Sequence, residues 1–214
     1  MRGEVKGYLN EAELNHVKAL YAGEVTMMDK WVGTFLKRVR DIGLLDRTMV
    51  IFLSDHGIPL GEHGIIRKAR PWPYEELIRI PLIMRHPEGI GKGKRIKALV
   101  ETPDVMPTIL DFLGIKIPET VHGSSLLPLI SEEKEKIRDY AYSGFFNRSW
   151  SIRDEEWKYI HWLPGPPSHP TKPELYNLKK DHEELSNLVD QESKTAKALE
   201  LNLKNFVENL KAKD

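Results

Sequence analysis

Asp55 and His56 stand side by side at the end of an apolar run in the stretch TMVIFLSDHGIPLGEHG, residues 48–64. A carboxylate oxygen and an imidazole nitrogen are ligands for a divalent cation: Zn, Mn or Fe, or, with more oxygens added, Ca or Mg. The plainer alternative is a pair that only hydrogen-bonds the amides of its own loop. Two ligands do not close a coordination shell, so a metal reading needs further donors from elsewhere. The next segment, residues 58–73, holds Glu62, His63, Arg67, Lys68 and Arg70 among glycines and prolines. Long loops without structure of their own inside a compact domain are usually functional or disordered. Cations hanging over a metal-bearing edge suit an oxyanion substrate, on which charge develops during group transfer. A solvated loop with ordinary charges is the alternative there.

These side chains need a frame. Residues 49–53 are nearly all apolar, which predicts a strand covered on both faces, as in the interior of an α/β sheet. Ligands bind such sheets at the carboxyl ends of the strands, where Asp55 and His56 lie. Neighbouring side chains on an extended strand point opposite ways, but a turn past the last ladder bond can bring both to one ion. Before this strand, residues 10–43 predict one long helix. Leu14, Val17, Tyr21, Val25, Met28, Val32, Phe35, Val39 and Ile42 recur every three or four residues, a stripe expected to face the core. Asn10 with Glu13 reads as a capping box, and Gly43 as a C-terminal stop. A second strand is expected over residues 78–87. A helix capped by Thr102 follows, with Pro103 at its first position, Pro107 kinking its early turns and Gly114 just past its end. Such alternation predicts an α/β layer architecture.

After residue 114 the composition changes. Residues 115–137 are punctuated by proline and glycine, and read as a wrapping connection with a charged helix or linker. DYAYSGFF, WSIRD, WKYIHW and ELYNL are short aromatic strand candidates, with Asp154-Glu155-Glu156 as a hairpin turn. Residues 163–173 form a proline-rich loop. A last helix, from about Ser193 to Leu210, carries Ala196, Leu199, Leu203, Phe206 and Leu210 on one stripe. The expected division is 1–137 for the α/β part and 138–214 for a small α+β subdomain, an antiparallel sheet with a helix on it. No internal repeat is present.

Composition narrows the class of partner. Lys+Arg and Asp+Glu each number 32, so the formal net charge is zero and nothing favours nucleic acid or an anionic membrane. No apolar run is long enough for a membrane span, and MRGEVKGYLNEAEL lacks the apolar centre of a signal peptide. With no cysteine, disulfides and thiolate metal sites are excluded. The expectation is a soluble, cytoplasmic protein.

Six segments, in order along almost the whole chain, resemble the C-terminal portion of a sulfatase, arylsulfatase-like, in the alkaline phosphatase superfamily. They are YAGEVTMMDKWVGTFL, GLLDRTMVIFLSDHG, LGEHGIIRKARPWPYEELIRIPLIMR, TPDVMPTILDFLGIKIP, HGSSLLPLI and ELYNLKKDHEELSNL. The resemblance implies a partial alkaline-phosphatase-like sandwich, with a central, mostly parallel sheet, flanking helices and a small C-terminal antiparallel sheet with a helix. It implies that Asp55 and His56 bind a divalent metal, calcium first, with Mn, Mg or Zn as alternatives. Lys68 matches the lysine on the sulfate or phosphoryl oxygens, His63 is a further candidate for catalysis, and Tyr74 and Glu75 match a structural motif. The substrate implied is a small-molecule sulfate, phosphate or phosphonate ester.

One element of the family pattern is missing. Sulfatases take their nucleophile from a Cys/Ser-x-Pro-x-Arg motif with paired aspartates near the N-terminus; this sequence has no cysteine and no Ser-x-Pro-x-Arg. The isolated chain is therefore expected to be inactive and truncated relative to a whole sulfatase, completed by a missing N-terminal half or left to self-associate. Two other readings stand beside it. One is a non-catalytic remnant or interaction module of the same fold. The other is a two-metal phosphodiesterase or phosphomutase relative.

Overall fold

In the computed structural model, the residues described are 9–66, 72–145, 148–165 and 170–211. They belong to two compact units. The first is drawn from Met1–Ala69 and Glu76–Gly93, the second from Arg70–Glu75 and Lys94–Asp214.

The first unit opens with α1, Glu11–Asp41. The Asn10 side chain accepts the Glu13 N–H at 3.0 Å, and the Asn10 N–H donates to Glu13 Oε2 at 2.7 Å, the capping box expected from the sequence. At the other end Gly43 adopts φ +71°. Its N–H donates to the Arg40 carbonyl while Leu44 N–H reaches back to the Val39 carbonyl, so the last carbonyls are satisfied by a Schellman turn. The stripe does not face a core: no residue of α1 is buried. The 3.6-residue spacing marks a face meant for burial but not what buries it. In this unit the described sheet is two strands, too little to cover a 31-residue helix.

Those strands are β1, Val50–Leu53, and β2, Leu82–Arg85. They pair antiparallel, with Phe52 opposite Ile83 and Leu53 opposite Leu82. The α/β class holds, and among the described residues β1 and β2 are an antiparallel pair. The strands are also not covered on both faces, since Phe52, Leu53 and Ile83 are exposed. An apolar run records a capacity for burial; the layers that would use it are not among the described residues. The second expected strand is shorter than residues 78–87 because Glu75–Ile78 forms a single helical turn, α2.

The second unit contains α3, Val105–Phe112, preceded by a 3₁₀ turn at Thr102–Asp104. Pro107 lies in the first turn of α3, where a backbone N–H has no intrahelical partner to lose, so the helix runs on without a break. The N-cap position of α3 is Asp104, not Thr102, and its side chain makes no cap hydrogen bond to α3 but reaches back to the 3₁₀ turn. Asp104 is fully buried and accepts Glu101 N–H at 2.7 Å, Ser124 N–H at 2.8 Å and both Arg138 Nη groups. After the short α4, Leu127–Ile130, come β3 (Ala141–Phe145), β4 (Ser149–Arg153), β5 (Trp157–Trp162) and β6 (Glu174–Asn177). They form a four-stranded antiparallel meander in sequence order. The β4–β5 turn falls where expected, with Asp154 Oδ1 accepting the N–H groups of Glu156 and Trp157. The last helix, α5, spans Ser193–Lys211 and lays Ala196, Leu199 and Leu203 against Ile152, Tyr159 and Leu175 of the sheet. Phe206, next on the same stripe, stacks on Tyr142 with centroids 3.7 Å apart. Among the described residues, no helix is long and apolar enough to cross a membrane.

Candidate functional site

The chain leaves β1 at Ser54, and the next three residues turn back on themselves. Ser54 Oγ donates to the His56 carbonyl at 2.7 Å, and His56 N–H donates to Asp55 Oδ1 at 3.0 Å. Gly57 fastens the turn, its N–H donating to the Leu77 carbonyl at 2.7 Å. A Cβ on Gly57 would lie 2.0 Å from the Glu76 carbonyl oxygen, so no other residue allows the two backbones this close.

The turn solves the problem set by strand geometry. His56 Nε2 and Asp55 Oδ2 lie 3.5 Å apart although the residues are adjacent in the chain. His56 Nδ1 is 2.7 Å from the Gly57 carbonyl, an acceptor, which makes Nδ1 the protonated nitrogen and leaves the Nε2 lone pair facing the carboxylate. Two acceptor atoms at that separation fit adjacent positions around one cation, whose ligands at about 2.1–2.4 Å lie roughly 3–3.4 Å from each other. Asp55 is largely exposed and His56 about one-third exposed, so the pair is open to solvent. The donor set fits a divalent ion but supplies two ligands of the four to eight such ions take.

The other sequence candidates are placed differently. His63 has a left-handed backbone, φ 52°, and its Nε2 sits 3.7 Å from Glu76 Oε2 with both side chains mostly buried. Lys68 lies outside the described residues, as do Arg67 and Arg70. Tyr74 and Glu75 are structural anchors. Tyr74 Oη donates to Glu174 Oε2 at 3.0 Å, and that carboxylate also accepts Tyr176 Oη at 2.8 Å and Trp162 Nε1 at 3.0 Å. Glu75 accepts Arg153 Nη1 at 2.7 Å and Lys158 Nζ at 3.2 Å, while its own N–H donates to Glu184 Oε2.

Sequence reasoning missed the partners in this network. Lys158 is completely buried on β5, with Nζ 2.8 Å from Glu184 Oε1. Burial pushes the Glu184 carboxyl up from its ordinary value, opposed by Lys158. A lone lysine inside the aromatic strand WKYIHW was the available signal, since an unpaired ammonium there would be costly. Glu184, one of several charges in KKDHEELSN, carried no such signal.

Two family descriptions match the chain: Sulfatase over residues 3–115, and N-sulphoglucosamine sulphohydrolase, C-terminal, over residues 61–213. The chain is 35% identical over 195 residues to an arylsulfatase of Clostridium perfringens, covering 88% of this chain and 39% of that one. It is 31% identical over 192 residues to an N-acetylglucosamine-6-O-sulfatase of Bacteroides thetaiotaomicron, covering 85% and 33%. Among solved structures, the phosphonate monoester hydrolase of Agrobacterium radiobacter superposes with a TM-score of 0.77 at 27% identity, over 94% of this chain and 42% of that one. A protein solved with its substrate D-glucosamine-2-N,6-O-disulfate gives 0.73 at 31%, over 88% and 39%. The chain thus spans about two-fifths of the length of the relatives it matches. With matched descriptions reaching from residue 3 to residue 213, the chain belongs to the sulfatase family and corresponds to a C-terminal portion of it.

Proposed function

We propose that this chain is the C-terminal portion of a metal-dependent sulfatase-type hydrolase of sulfate monoesters, with phosphate or phosphonate monoesters as the alternative substrates. The observation that carries the reading is the pair of acceptor atoms, His56 Nε2 and Asp55 Oδ2, held 3.5 Å apart at the end of β1. In this assignment 1–137 is the C-terminal part of the catalytic domain and 138–214 the small subdomain. Likeness to sulfatases and to a phosphonate monoester hydrolase supports both ester classes.

Asp55 and His56 would hold the divalent ion, calcium first among the candidates. The Gly57 carbonyl keeps the His56 proton on Nδ1, and so keeps Nε2 free to ligate. When bound, the ion polarises the ester and stabilises negative charge as it develops on oxygen. Lys68 is assigned to the equatorial oxygens of the substrate on the family resemblance, and His63 to a supporting place in the same loop. The nucleophile comes from the N-terminal portion of the fold, so the isolated chain does not turn over substrate.

Two measurements test this. Calorimetric titration with Ca, Mn and Zn should show weak binding by the chain, reduced at least about tenfold in Asp55→Asn. Incubation with p-nitrophenyl sulfate and p-nitrophenyl phosphate should give no metal-dependent hydrolysis. Turnover by the pure chain would overturn its inactivity, and equal metal binding by Asp55→Asn would overturn the site.

A further inference from the structure

We propose that a cavity of the second unit, between the turn at Glu101, β3 and the latter half of α5, binds a small organic ammonium ion, with Glu101 as its counter-ion and aromatic rings as its wall. This goes beyond the sulfatase reading and does not rest on it. The cavity has a volume of about 290 Å³, at the small end of ligand pockets, and opens to solvent. Every residue lining it belongs to the second unit.

Three parts of the chain build it. Glu101 is the residue just before the 3₁₀ turn at Thr102–Asp104. Arg138, in the connection between α4 and β3, returns to that turn, where both its Nη groups donate to the buried Asp104 carboxylate. Tyr142 lies on β3 and Phe206 on α5, and their rings stack with centroids 3.7 Å and planes 4° apart. Tyr142 N–H donates to Glu101 Oε1 at 2.5 Å, which joins the carboxylate to the aromatic wall.

Charge decides what such a cavity takes. Glu101 and Asp104 share one cation, and the Arg138 guanidinium is committed to Asp104. Its Nη2 stays 3.6 Å from Glu101 Oε2, beyond hydrogen-bonding distance. Both the Glu101 and Arg138 side chains are mostly buried, so the group of three is one positive charge short where charges are ordinarily paired. Burial pushes the Glu101 carboxyl up, only partly opposed by Tyr142 N–H and Arg138. Burial and then the charge of Glu101 push the Tyr142 hydroxyl up as well. At the rim Asp139 is already paired with Lys136 at 2.5 Å, and His122 is exposed. An anion would face the Glu101 carboxylate, and a neutral apolar molecule would leave it without a counter-charge. An ammonium ion donates to Glu101 and lies against Tyr140, Tyr142 and Phe206, whose π faces attract a cation.

Benzylammonium chloride is the probe, with benzyl alcohol as its neutral isostere and sodium benzoate as the anion. Each is titrated into the full chain and followed by amide NMR spectroscopy. Benzylammonium should give saturable shifts centred on Arg138 and Tyr142, with a Kd on the order of 1 mM. Benzyl alcohol and benzoate should bind at least about tenfold more weakly, and Glu101→Gln should weaken benzylammonium by a similar factor. Phe206→Leu, which keeps an apolar wall but loses the ring, should cost about threefold or more. Glu183→Gln, at an exposed position of the same unit, should change nothing. The isosteres are compared on the wild type, so they decide the outcome even where a variant does not fold. Equal binding of all three probes, shifts centred elsewhere, or full affinity in Glu101→Gln overturns the proposal. So do the same shifts from potassium chloride alone, which would make the occupant an inorganic ion. No hydrolysis is measured, so failure of the sulfatase reading would leave this result standing.

Discussion

Lys158 carries its ammonium to a fully buried position on β5, where Glu75 and Glu184 are both in reach. Arg153 supplies the second positive charge, so two carboxylates meet two cations in one network. Removing one member of a buried pair leaves the others desolvated and uncompensated, which typically costs about 3–5 kcal/mol. Lys158→Met should therefore lower the unfolding free energy of the second unit by that order in urea denaturation followed by tryptophan fluorescence. A loss below about 1 kcal/mol would show that the site admits enough water to dispense with the ion pair. At this scale the sequence was readable only where neighbours in the chain are neighbours in space. Asp55 and His56 qualify, and one turn held by Gly57 brings their side chains together. Glu75, Lys158 and Glu184 are scattered over more than a hundred positions. Only the sheet and its connections show that they neutralise one another.

Helices α1 and α5 carried the same signal in the sequence and met different fates. In α5 the stripe is buried, with Leu199 and Leu203 each 3% exposed against the antiparallel sheet. In α1 the stripe is bare. Leu199→Ala should destabilise the isolated chain by about 2–5 kcal/mol through the cavity it leaves. Phe35→Ala, which removes more atoms, should change it by no more than about 0.5 kcal/mol. Thermal unfolding of the two variants side by side checks the contrast, and equal losses would mean that α1 is packed in solution. Helix ends were legible to the residue at Asn10 and Gly43 because capping is local chemistry. The strands of the second unit were legible for a similar reason, since aromatic and β-branched runs between turn residues fix a meander without distant information. The environment of β1 and β2 was not, because an apolar strand reads alike whether its covering layers are present or absent.

For the molecule as a whole, several groups make stability fall as pH rises. Burial pushes the carboxyls of Glu101 and Glu184 up, partly opposed by Arg138 and Lys158. Burial and the charge of Glu200 push the Tyr159 hydroxyl up from 10.0 to about 12. Each group holds its proton more tightly folded than unfolded. The carboxyl contributions are complete below the ordinary carboxyl pKa and are lost as pH rises through the folded values; the tyrosine contribution is lost between pH 10 and about 12. Urea denaturation across a pH series should show wild type losing stability relative to Glu184→Gln as pH climbs out of the acid range. It should lose stability relative to Tyr159→Phe above pH 10. A wild type that gains on either variant in its window would reverse the sign and refute the assignment. The Glu174 carboxylate, which gathers Tyr74, Tyr176 and Trp162, has an optical consequence. Trp72, two residues before Tyr74, stands edge-on to Trp162 with ring centroids 6.4 Å apart. Two indoles at that distance couple their excited states, so the molecule carries its own reporter. A near-UV dichroic couplet that collapses in Glu174→Ala would register release of the 72–75 segment from the sheet without any added label.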